Sequence, residues 1–168
     1  MKTKQEFSAG GVVYKKDQSG IVFLLGKHSG YHKWVLPKGL IEKGEKPKQT
    51  AIRETQEEMG VTAKIVKSKP IHTETYRYMA DLKHSLDLQS KALESTRRVK
   101  TYQEQGGGQT KVEKTVQFFL MEYVSGDPSQ HGWEMENAGW FSYEQALEIM
   151  GFEGEKAGLK KAWELLKS

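Results

Sequence analysis

The segment GLIEKGEKPKQTAIRETQEEMGV, residues 39–61, contains the strongest structural signal in this chain. Glu54, Glu57 and Glu58 stand at positions i, i+3 and i+4, which on an α-helix place three carboxylates on one face. Like charges at this spacing repel one another and destabilise a helix. A divalent cation removes that repulsion, and hard cations such as Mg²⁺ prefer carboxylate oxygens as ligands. The spacing therefore predicts a metal site on a helix.

The residues around these glutamates predict where the helix begins and ends. Pro47 suits the first turn, where its missing N–H costs nothing. Gly60 suits the position after the last turn, where a left-handed conformation ends a helix. We therefore expect a helix over about residues 46–59, preceded by a glycine-punctuated loop. Four residues with helical spacing are expected to face the core: Ala51, Ile52, Thr55 and Met59.

The same segment resembles the signature of the Nudix family, in which Gly, five residues, Glu, seven residues and Arg-Glu-x-x-Glu-Glu-x-Gly-aliphatic follow one another. The matching positions are Gly39, Glu45, Arg53, Glu54, Glu57, Glu58, Gly60 and Val61. Thr55 departs from the pattern, because the family usually has an aliphatic residue there. This departure concerns packing rather than chemistry. The alternative interpretation, a solvated acidic helix, does not account for so many matches in one segment.

The order of the predicted elements indicates an α/β fold. Turn-bounded apolar segments predict strands, and capping signals and amphipathic spacing predict helices. The expected strands cover residues 7–14, 21–25, parts of 62–79, 115–123 and a stretch that ends at 141, and the expected later helices cover 143–150 and 155–166. Such an order favours an α/β/α sandwich around a mixed β-sheet. The resemblance implies the same architecture, the Nudix fold.

We expect one domain, residues 1–168, with an insertion over residues 81–113. This stretch is longer than a usual connection between two strands, and it is somewhat basic. Its functional interpretation is a lid or substrate arm whose cations hold phosphates. The alternative is an insertion with a partial helix and no role in the chemistry.

The resemblance implies a metal-dependent hydrolase that cleaves a nucleoside diphosphate linked to another group. Mg²⁺ or Mn²⁺ is the implied cofactor, which neutralises a polyphosphate and lowers the pKa of the attacking water. Glu57 and Glu58 are the implied metal ligands, whereas Glu54 is either a further ligand or the group that accepts a proton from water. The sequence leaves both roles of Glu54 open. The backbone carbonyl of Lys38 is a further candidate ligand.

Other charged residues are expected to support these ligands. Arg53 is expected to orient a carboxylate through a bidentate pair, with Glu45 as the candidate partner. A glutamate outside the signature often assists in this family, although a plain surface position is the alternative for each one here. The candidates are Glu122, Glu134 and Glu136.

Residues outside the signature are expected to determine the choice of substrate. The segments WVLPKG, residues 34–39, and KTVQFFL, residues 114–120, resemble segments of diadenosine tetraphosphate hydrolases. That resemblance implies cleavage to ATP and AMP, with Lys38 and Lys114 near phosphates and Tyr76 or Phe118 stacked on adenine. The alternative for these aromatic residues is core packing, and in a strand one of Phe118 and Phe119 must face the core.

Two alternatives stay open. The first is another Nudix hydrolase, acting on oxidised nucleoside triphosphates, ADP-ribose, inositol pyrophosphates or RNA 5′ ends. An RNA substrate is possible but not favoured, and salt-sensitive RNA affinity would support it. The second alternative, from another class, is a non-catalytic Nudix-fold nucleotide sensor, against which the retained glutamates argue. The sequence does not indicate an oligomeric state.

The composition limits the class of protein. The 168 residues carry 26 Lys and Arg against 22 Asp and Glu, a net charge of +4 that fits a polyphosphate substrate and equally an ordinary surface. No apolar run approaches the length of a membrane span, and the N-terminal residues lack the apolar region of a secretory signal. The chain has no cysteine, which excludes disulfides and thiolate metal sites. We expect a cytoplasmic protein whose partner is a small-molecule nucleotide or polyphosphate.

Overall fold

The computed structural model describes residues 3–81 and 109–167. The elements are β1 (Thr3–Asp17), β2 (Gly20–His28), β3 (Trp34–Val35), β4 (Lys38–Leu40), α1 (Pro47–Met59), β5 (Val61–Ile65), β6 (His72–Asp81), β7 (Gln109–Gly126), a 3₁₀ turn (Pro128–Gln130), β8 (Met135–Ser142), α2 (Tyr143–Ile149) and α3 (Glu153–Lys167). In the described part of the chain, no helix is both long and apolar enough to cross a lipid bilayer.

The strands form one mixed sheet, as predicted. Its main order is β3-β2-β1-β7-β5, with β4 beside β1, β6 beside β7 and β8 beside β2. The strands β1 and β2 form a hairpin, because they pair antiparallel up to Asp17 and Gly20, and the Asp17 carboxylate closes the turn by accepting the Ser19 N–H at 2.8 Å. The short β4 pairs antiparallel with β1 and brings Gly39 opposite Ala9. The sheet thereby fixes the backbone that leads into α1.

Helices cover both faces of this sheet, which explains why the central strands are buried without a strict alternation. On one face, Ala51 and Met59 of α1 pack with Leu24 of β2 and Met121 of β7 in the main core cluster. On the opposite face, Phe23 of β2 contacts Tyr143 of α2 and Trp163 of α3, with ring centroids 6.4 Å apart in each pair. The predicted α/β/α sandwich is confirmed.

Helix α1 begins and ends where its sequence predicts. Pro47 occupies the first turn, and the Gln49 side chain accepts the Lys46 N–H at 2.8 Å. Gly60 adopts φ 71°, and its N–H donates to the Gln56 carbonyl. A side chain at Gly60 would be strained at this φ. Thr55 is buried and its hydroxyl donates to the Ala51 carbonyl at 2.7 Å, so the departure from the aliphatic pattern leaves no unsatisfied group.

Two compact units are distinguishable in the chain. The larger comprises Phe7–Glu74 and Val116–Ser168, and the smaller comprises Met1–Glu6 and Thr75–Thr115. The assignment of one domain stays a prediction. The predicted insertion over residues 81–113 lies, from 82 to 108, outside the described residues, and so does the predicted lid.

The described part of the smaller unit contains strand segments with their own polar contacts. Within it, the Tyr78 hydroxyl donates to Glu6 Oε1 at 3.1 Å, and Arg77 Nε lies 2.8 Å from Glu113 Oε2. The carboxylates of α1 belong to the larger unit.

Candidate active site

The three predicted carboxylates of α1 differ in their surroundings. Glu54 and Glu58 are buried, at 5% and 9% exposure, whereas the Glu57 side chain is 52% exposed. Glu54 and Glu58 are four residues apart and point inward from the same helix face. The helix thus offers two buried carboxylates and one exposed carboxylate.

Arg53 connects these carboxylates to the loop that precedes the helix. Its guanidinium makes two parallel contacts with Glu45, Nε to Oε2 at 2.7 Å and Nη2 to Oε1 at 2.9 Å. Nη1 donates to Glu54 at 2.8 Å and to Glu57 at 3.1 Å, and Nη2 also donates to the Leu40 carbonyl at 3.1 Å. The predicted bidentate pair with Glu45 is confirmed.

The Arg53 contact changes the ionisation of its partner. The hydrogen bonds from Arg53, together with one from the Thr50 hydroxyl at 2.6 Å, lower the pKa of Glu45 to about 2. The same pairing raises the pKa of Arg53, with Glu54 as a further contributor. Arg53 and Glu45 are therefore fully charged at neutral pH, and the arginine is fixed in one orientation.

Strand β4 positions the two buried carboxylates. A Cβ at Gly39 would lie 2.1–2.3 Å from the carboxylate atoms of Glu54, so only glycine leaves room for that group. The neighbouring Lys38 N–H donates to Glu58 Oε1 at 3.0 Å. The backbone of β4 therefore forms one wall against which Glu54 and Glu58 are held.

Glu58 lies in a crowded acidic environment. Burial raises the pKa of its carboxyl well above the ordinary value, and the neighbouring Glu54 and Glu134 raise it further, while Lys38 partly opposes them. Glu134 follows the 3₁₀ turn and precedes β8, and the Gly132 N–H of this segment donates to the Glu58 carbonyl at 2.9 Å. Glu54 and Glu134 thus both act electrostatically on the Glu58 carboxyl.

Of the three glutamates predicted as possible assistants, Glu134 is the one beside Glu58. Glu122 of β7 lies 3.6 Å from Lys64 on β5. Glu136 of β8 pairs with His32 and with Lys27, which lower its pKa. The sequence could not separate these candidates, because their distances from α1 depend on how the segment 128–135 packs on the helix end.

The Lys38 side chain has a partner that the sequence did not indicate. Its ammonium lies 2.7 Å from Oε2 of Glu155 in α3, and both side chains are largely buried, at 16% and 1% exposure. Burial by itself would lower the pKa of Lys38, but the Glu155 carboxylate, with Tyr31 and Glu58 in support, raises it above the ordinary value. Lys38 is therefore a fully charged group inside the wall of the site.

The donor chemistry fits a divalent cation. Glu54, Glu58 and Glu134 supply hard oxygen donors, and a bound cation would offset the burial and the neighbouring negative charges that raise the pKa of Glu58. Among residues 3–81 and 109–167, no three Asp, Glu or His side chains already converge closely enough to hold a metal ion. Glu57 instead contacts Arg53. The ligand set of Glu54, Glu57, Glu58 and the Lys38 carbonyl stays a prediction.

The predicted base-stacking role of Phe118 conflicts with its burial. Phe118 has no exposed surface and lies beside the His72 ring, with centroids 6.5 Å apart. Phe119 is also buried, in the core cluster on the α1 side. Both faces of β7 are covered here, so neither ring offers a face to a base. Core packing was the alternative for Phe118, and it is the correct one.

The other two predicted substrate residues, Tyr76 and Lys114, lie in the smaller unit. Lys114 is buried at 8% exposure, and Tyr76 is half-buried. Their roles as substrate contacts stay predictions.

Comparison with known proteins agrees with the resemblance of the segment 39–61 to the Nudix signature. The family model described as NUDIX domain matches residues 4–162. The asymmetrical bis(5′-nucleosyl)-tetraphosphatase of Rattus norvegicus is 30% identical over 159 residues, which cover 94% of this chain and 88% of that protein. The same-named protein of Sus scrofa is 51% identical over 53 residues, which cover 31% of this chain and 36% of that protein. The match therefore spans about a third of the pig protein.

A solved structure extends this similarity over the whole fold. The crystal structure of a C. elegans Ap4A hydrolase binary complex aligns with a TM-score of 0.66 and 28% identity, covering 96% of this chain and 98% of that one. The similarity is therefore present in both the sequence and the overall fold.

Proposed function

This chain belongs to the Nudix family of pyrophosphohydrolases, and on that premise we propose that it hydrolyses a dinucleoside polyphosphate with the help of Mg²⁺ or Mn²⁺. The proposed substrate is a small molecule of the diadenosine tetraphosphate type, and the proposed products are ATP and AMP. The observation that carries this proposal is the buried Glu58 carboxyl, on which Glu54 and Glu134 both act, on the same helix as the Arg53 contact with Glu54.

In this proposal the residues of α1 hold and orient the reacting groups. A bound divalent cation supplies charge neutralisation for the polyphosphate and a lower pKa for water. Glu57 and Glu58 are the proposed ligands, with the Lys38 carbonyl beside them. Glu54 is a further ligand or accepts the proton from water, and Arg53 fixes its orientation through their 2.8 Å contact.

Glu134 is the proposed assisting carboxylate from outside the signature. It approaches Glu58 from the segment before β8, whereas the contact that orients Glu54 comes from Arg53. Two separate elements thus place carboxylates where they act on Glu58, which suits a site for a divalent cation.

The choice of substrate is supported by similarity to the rat and C. elegans proteins rather than by a visible base pocket. The Lys38 ammonium already pairs with Glu155. A phosphate in the proposed contact would therefore have to share this ammonium with the Glu155 carboxylate. Lys114 and Tyr76 are the remaining proposed substrate residues. A cytoplasmic location also stays an expectation from the sequence.

A substrate panel tests this proposal. Purified protein with Mg²⁺ or Mn²⁺ is offered diadenosine tetraphosphate, nucleoside triphosphates, ADP-ribose and a 5′-triphosphate RNA at equal concentration, with initial rates measured for each. Glu57→Gln removes a proposed ligand, and Glu164→Gln on the exposed side of α3 is the matched control.

We expect the highest rate with diadenosine tetraphosphate, a loss of turnover in Glu57→Gln and wild-type rates in Glu164→Gln. A higher rate with another compound would refute the proposed substrate, but the assignment as a Nudix hydrolase would stand. Nucleotide binding without turnover of any compound would instead favour a sensor.

A further inference from the structure

Glu155 is a buried carboxylate in the first turn of α3 that the proposed chemistry does not use. Its Oε1 accepts the Leu36 N–H at 2.8 Å, from a residue 119 positions away in the chain. Its Oε2 lies 2.7 Å from the Lys38 ammonium. That approach is not aligned as a hydrogen bond, so the attraction is chiefly between the two charges. Both contacts hold the segment between β3 and β4.

Lys38 links this pair to the carboxylates of α1. Its backbone N–H donates to Glu58 Oε1 at 3.0 Å, while its side chain reaches Glu155. The charges of Lys38 and Glu58 also act on each other, since each shifts the pKa of the other. Glu58 is therefore a second carboxylate within electrostatic reach of the Lys38 ammonium.

An unpaired ammonium is costly at this depth, so Lys38 needs an anion. Its flexible four-carbon stem allows it to change partners. Without the Glu155 charge, the nearby Glu58 would be the available partner. The ammonium would then compete with a divalent cation for the same carboxylate.

We propose that Glu155 is a positioning residue of the active site: by holding the Lys38 ammonium and the Leu36 N–H, it keeps that ammonium off Glu58 and leaves Glu58 open to a divalent cation. This inference rests on the proposed function, because it assigns Glu58 to metal binding. Glu155 touches neither substrate nor metal and acts through Lys38.

Mn²⁺ binding in the absence of nucleotide tests the inference, with free Mn²⁺ measured by electron paramagnetic resonance. Glu155→Gln keeps the shape and an acceptor for the Leu36 N–H but removes the charge. We expect its Mn²⁺ dissociation constant to rise about tenfold, within the range seen when residues that support metal ligands are changed. Glu153→Gln, in the same turn and 87% exposed, is the matched control and is expected to bind as wild type.

A double variant separates an effect of charge from an effect on the fold. Glu155→Gln combined with Lys38→Met removes both charges, so no ammonium is left to occupy Glu58. We expect its Mn²⁺ affinity to return to within about twofold of wild type, a coupling that contacting residues are expected to show. An affinity as weak as that of Glu155→Gln alone would overturn the inference, because the role would then be structural.

A second variant covers the case in which Glu155→Gln does not fold. Glu155→Asp keeps the charge but withdraws it by one methylene, and we expect about threefold weaker Mn²⁺ binding in a protein with a wild-type circular dichroism spectrum. Wild-type affinity in the folded Asp variant would then overturn the inference.

Steady-state kinetics provide an independent readout. At saturating diadenosine tetraphosphate, kcat of Glu155→Gln is expected to recover as Mg²⁺ is raised, with little change in the KM for the nucleotide. A kcat deficit that no Mg²⁺ concentration reduces would contradict the inference.

Failure of the inference and failure of the proposed function give different results. If wild type binds Mn²⁺ and turns over nucleotide while Glu155→Gln binds Mn²⁺ equally well, the inference alone is wrong. If wild type binds no Mn²⁺, the proposed function is wrong and the inference falls with it.

Discussion

Arg53 and Glu45 form a bidentate ion pair across the start of α1, with Nε 2.7 Å from Oε2 and Nη2 2.9 Å from Oε1. The remaining donors of the same guanidinium reach Glu54, Glu57 and the Leu40 carbonyl. One side chain therefore fixes the loop, the strand β4 and two of the helix carboxylates. Its planar set of donors is the property that makes this possible.

Arg53→Lys should show how much the site depends on that geometry. Lysine keeps the charge but cannot donate to Glu45 and Glu54 in a fixed plane, so we expect kcat to fall by about 100-fold and the free energy of unfolding by about 1–3 kcal/mol. Activity assays and urea unfolding measure the two effects. Arg77, whose side chain is 64% exposed, pairs with Glu113, so Arg77→Lys is the control and should change stability by less than about 0.5 kcal/mol. Equal effects in both variants would contradict the assigned role of Arg53.

Glu45 should make folding stability depend on pH. Its pKa is lowered from an ordinary 4.5 to about 2 in the folded protein, so its contribution is present above pH 4.5 and is lost as the pH falls toward 2. We expect Glu45→Gln to be less stable than wild type by about 1–2 kcal/mol at pH 6, allowing for solvent screening, and the difference to narrow at pH 3. Urea unfolding at a series of pH values checks this. A difference that does not change with pH would show that the charge of Glu45 is not its source.

Glu58 should be needed for turnover but should lower the stability of the metal-free folded protein. Because its pKa is raised in the folded state, the ionised group is unfavourable above its ordinary pKa, and the cost grows as the pH rises toward the folded value. In EDTA at pH 7 we expect Glu58→Gln to be more stable than wild type by about 1–2 kcal/mol, with turnover in Mg²⁺ at least about 100-fold lower.

Mg²⁺ should reverse that order of stability. Adding it should raise the melting temperature of wild type and leave Glu58→Gln nearly unchanged, because a ligand stabilises only the state that binds it. Differential scanning calorimetry with and without Mg²⁺ measures both proteins, and Glu122→Gln at the pair with Lys64 is the control. A less stable Glu58→Gln in EDTA would contradict the crowding of charges at this residue.

Gly39→Ala should strongly reduce activity, although it adds only one methyl group. The added Cβ would lie 2.1–2.3 Å from the Glu54 carboxylate, so Glu54 or β4 must move. We expect kcat/KM to fall by about 100-fold, because misplacement of a reacting group by about 1 Å has that order of effect. Gly139→Ala, where the nearest atom to a Cβ is an ordinary 3.7 Å away, is the control. Wild-type activity of Gly39→Ala would refute the close approach of Glu54 to β4.

The sequence was sufficient to predict α1 because the residues that begin and end this helix act through local backbone properties. Pro47 and Gly60 limit the helix through backbone properties that do not depend on the rest of the chain. The Arg53 to Glu45 pair joins residues only eight positions apart, so the same short segment that predicts the helix also predicts the pair. The mixed sheet with helices on both faces followed from the family resemblance and from the order of elements, whereas its strand order did not.

The remaining features depend on contacts between distant segments. Glu155 meets Leu36 across 119 residues, and no periodicity in either segment indicates that contact. Glu134 could not be preferred over Glu122 or Glu136 until the packing of residues 128–135 against α1 was known. Phe118 was misassigned because a strand pattern predicts one buried face, whereas helices cover both faces of this sheet.

The products of diadenosine tetraphosphate give the most direct test of the proposed hydrolase. Purified protein with Mg²⁺ is incubated with this nucleotide, and the products are separated by chromatography beside those of Glu58→Gln. We expect ATP and AMP in equal amounts from wild type, formed at least about 100-fold more slowly by Glu58→Gln. Two molecules of ADP, no product while another nucleotide is cleaved, or equal rates in the two proteins would contradict it.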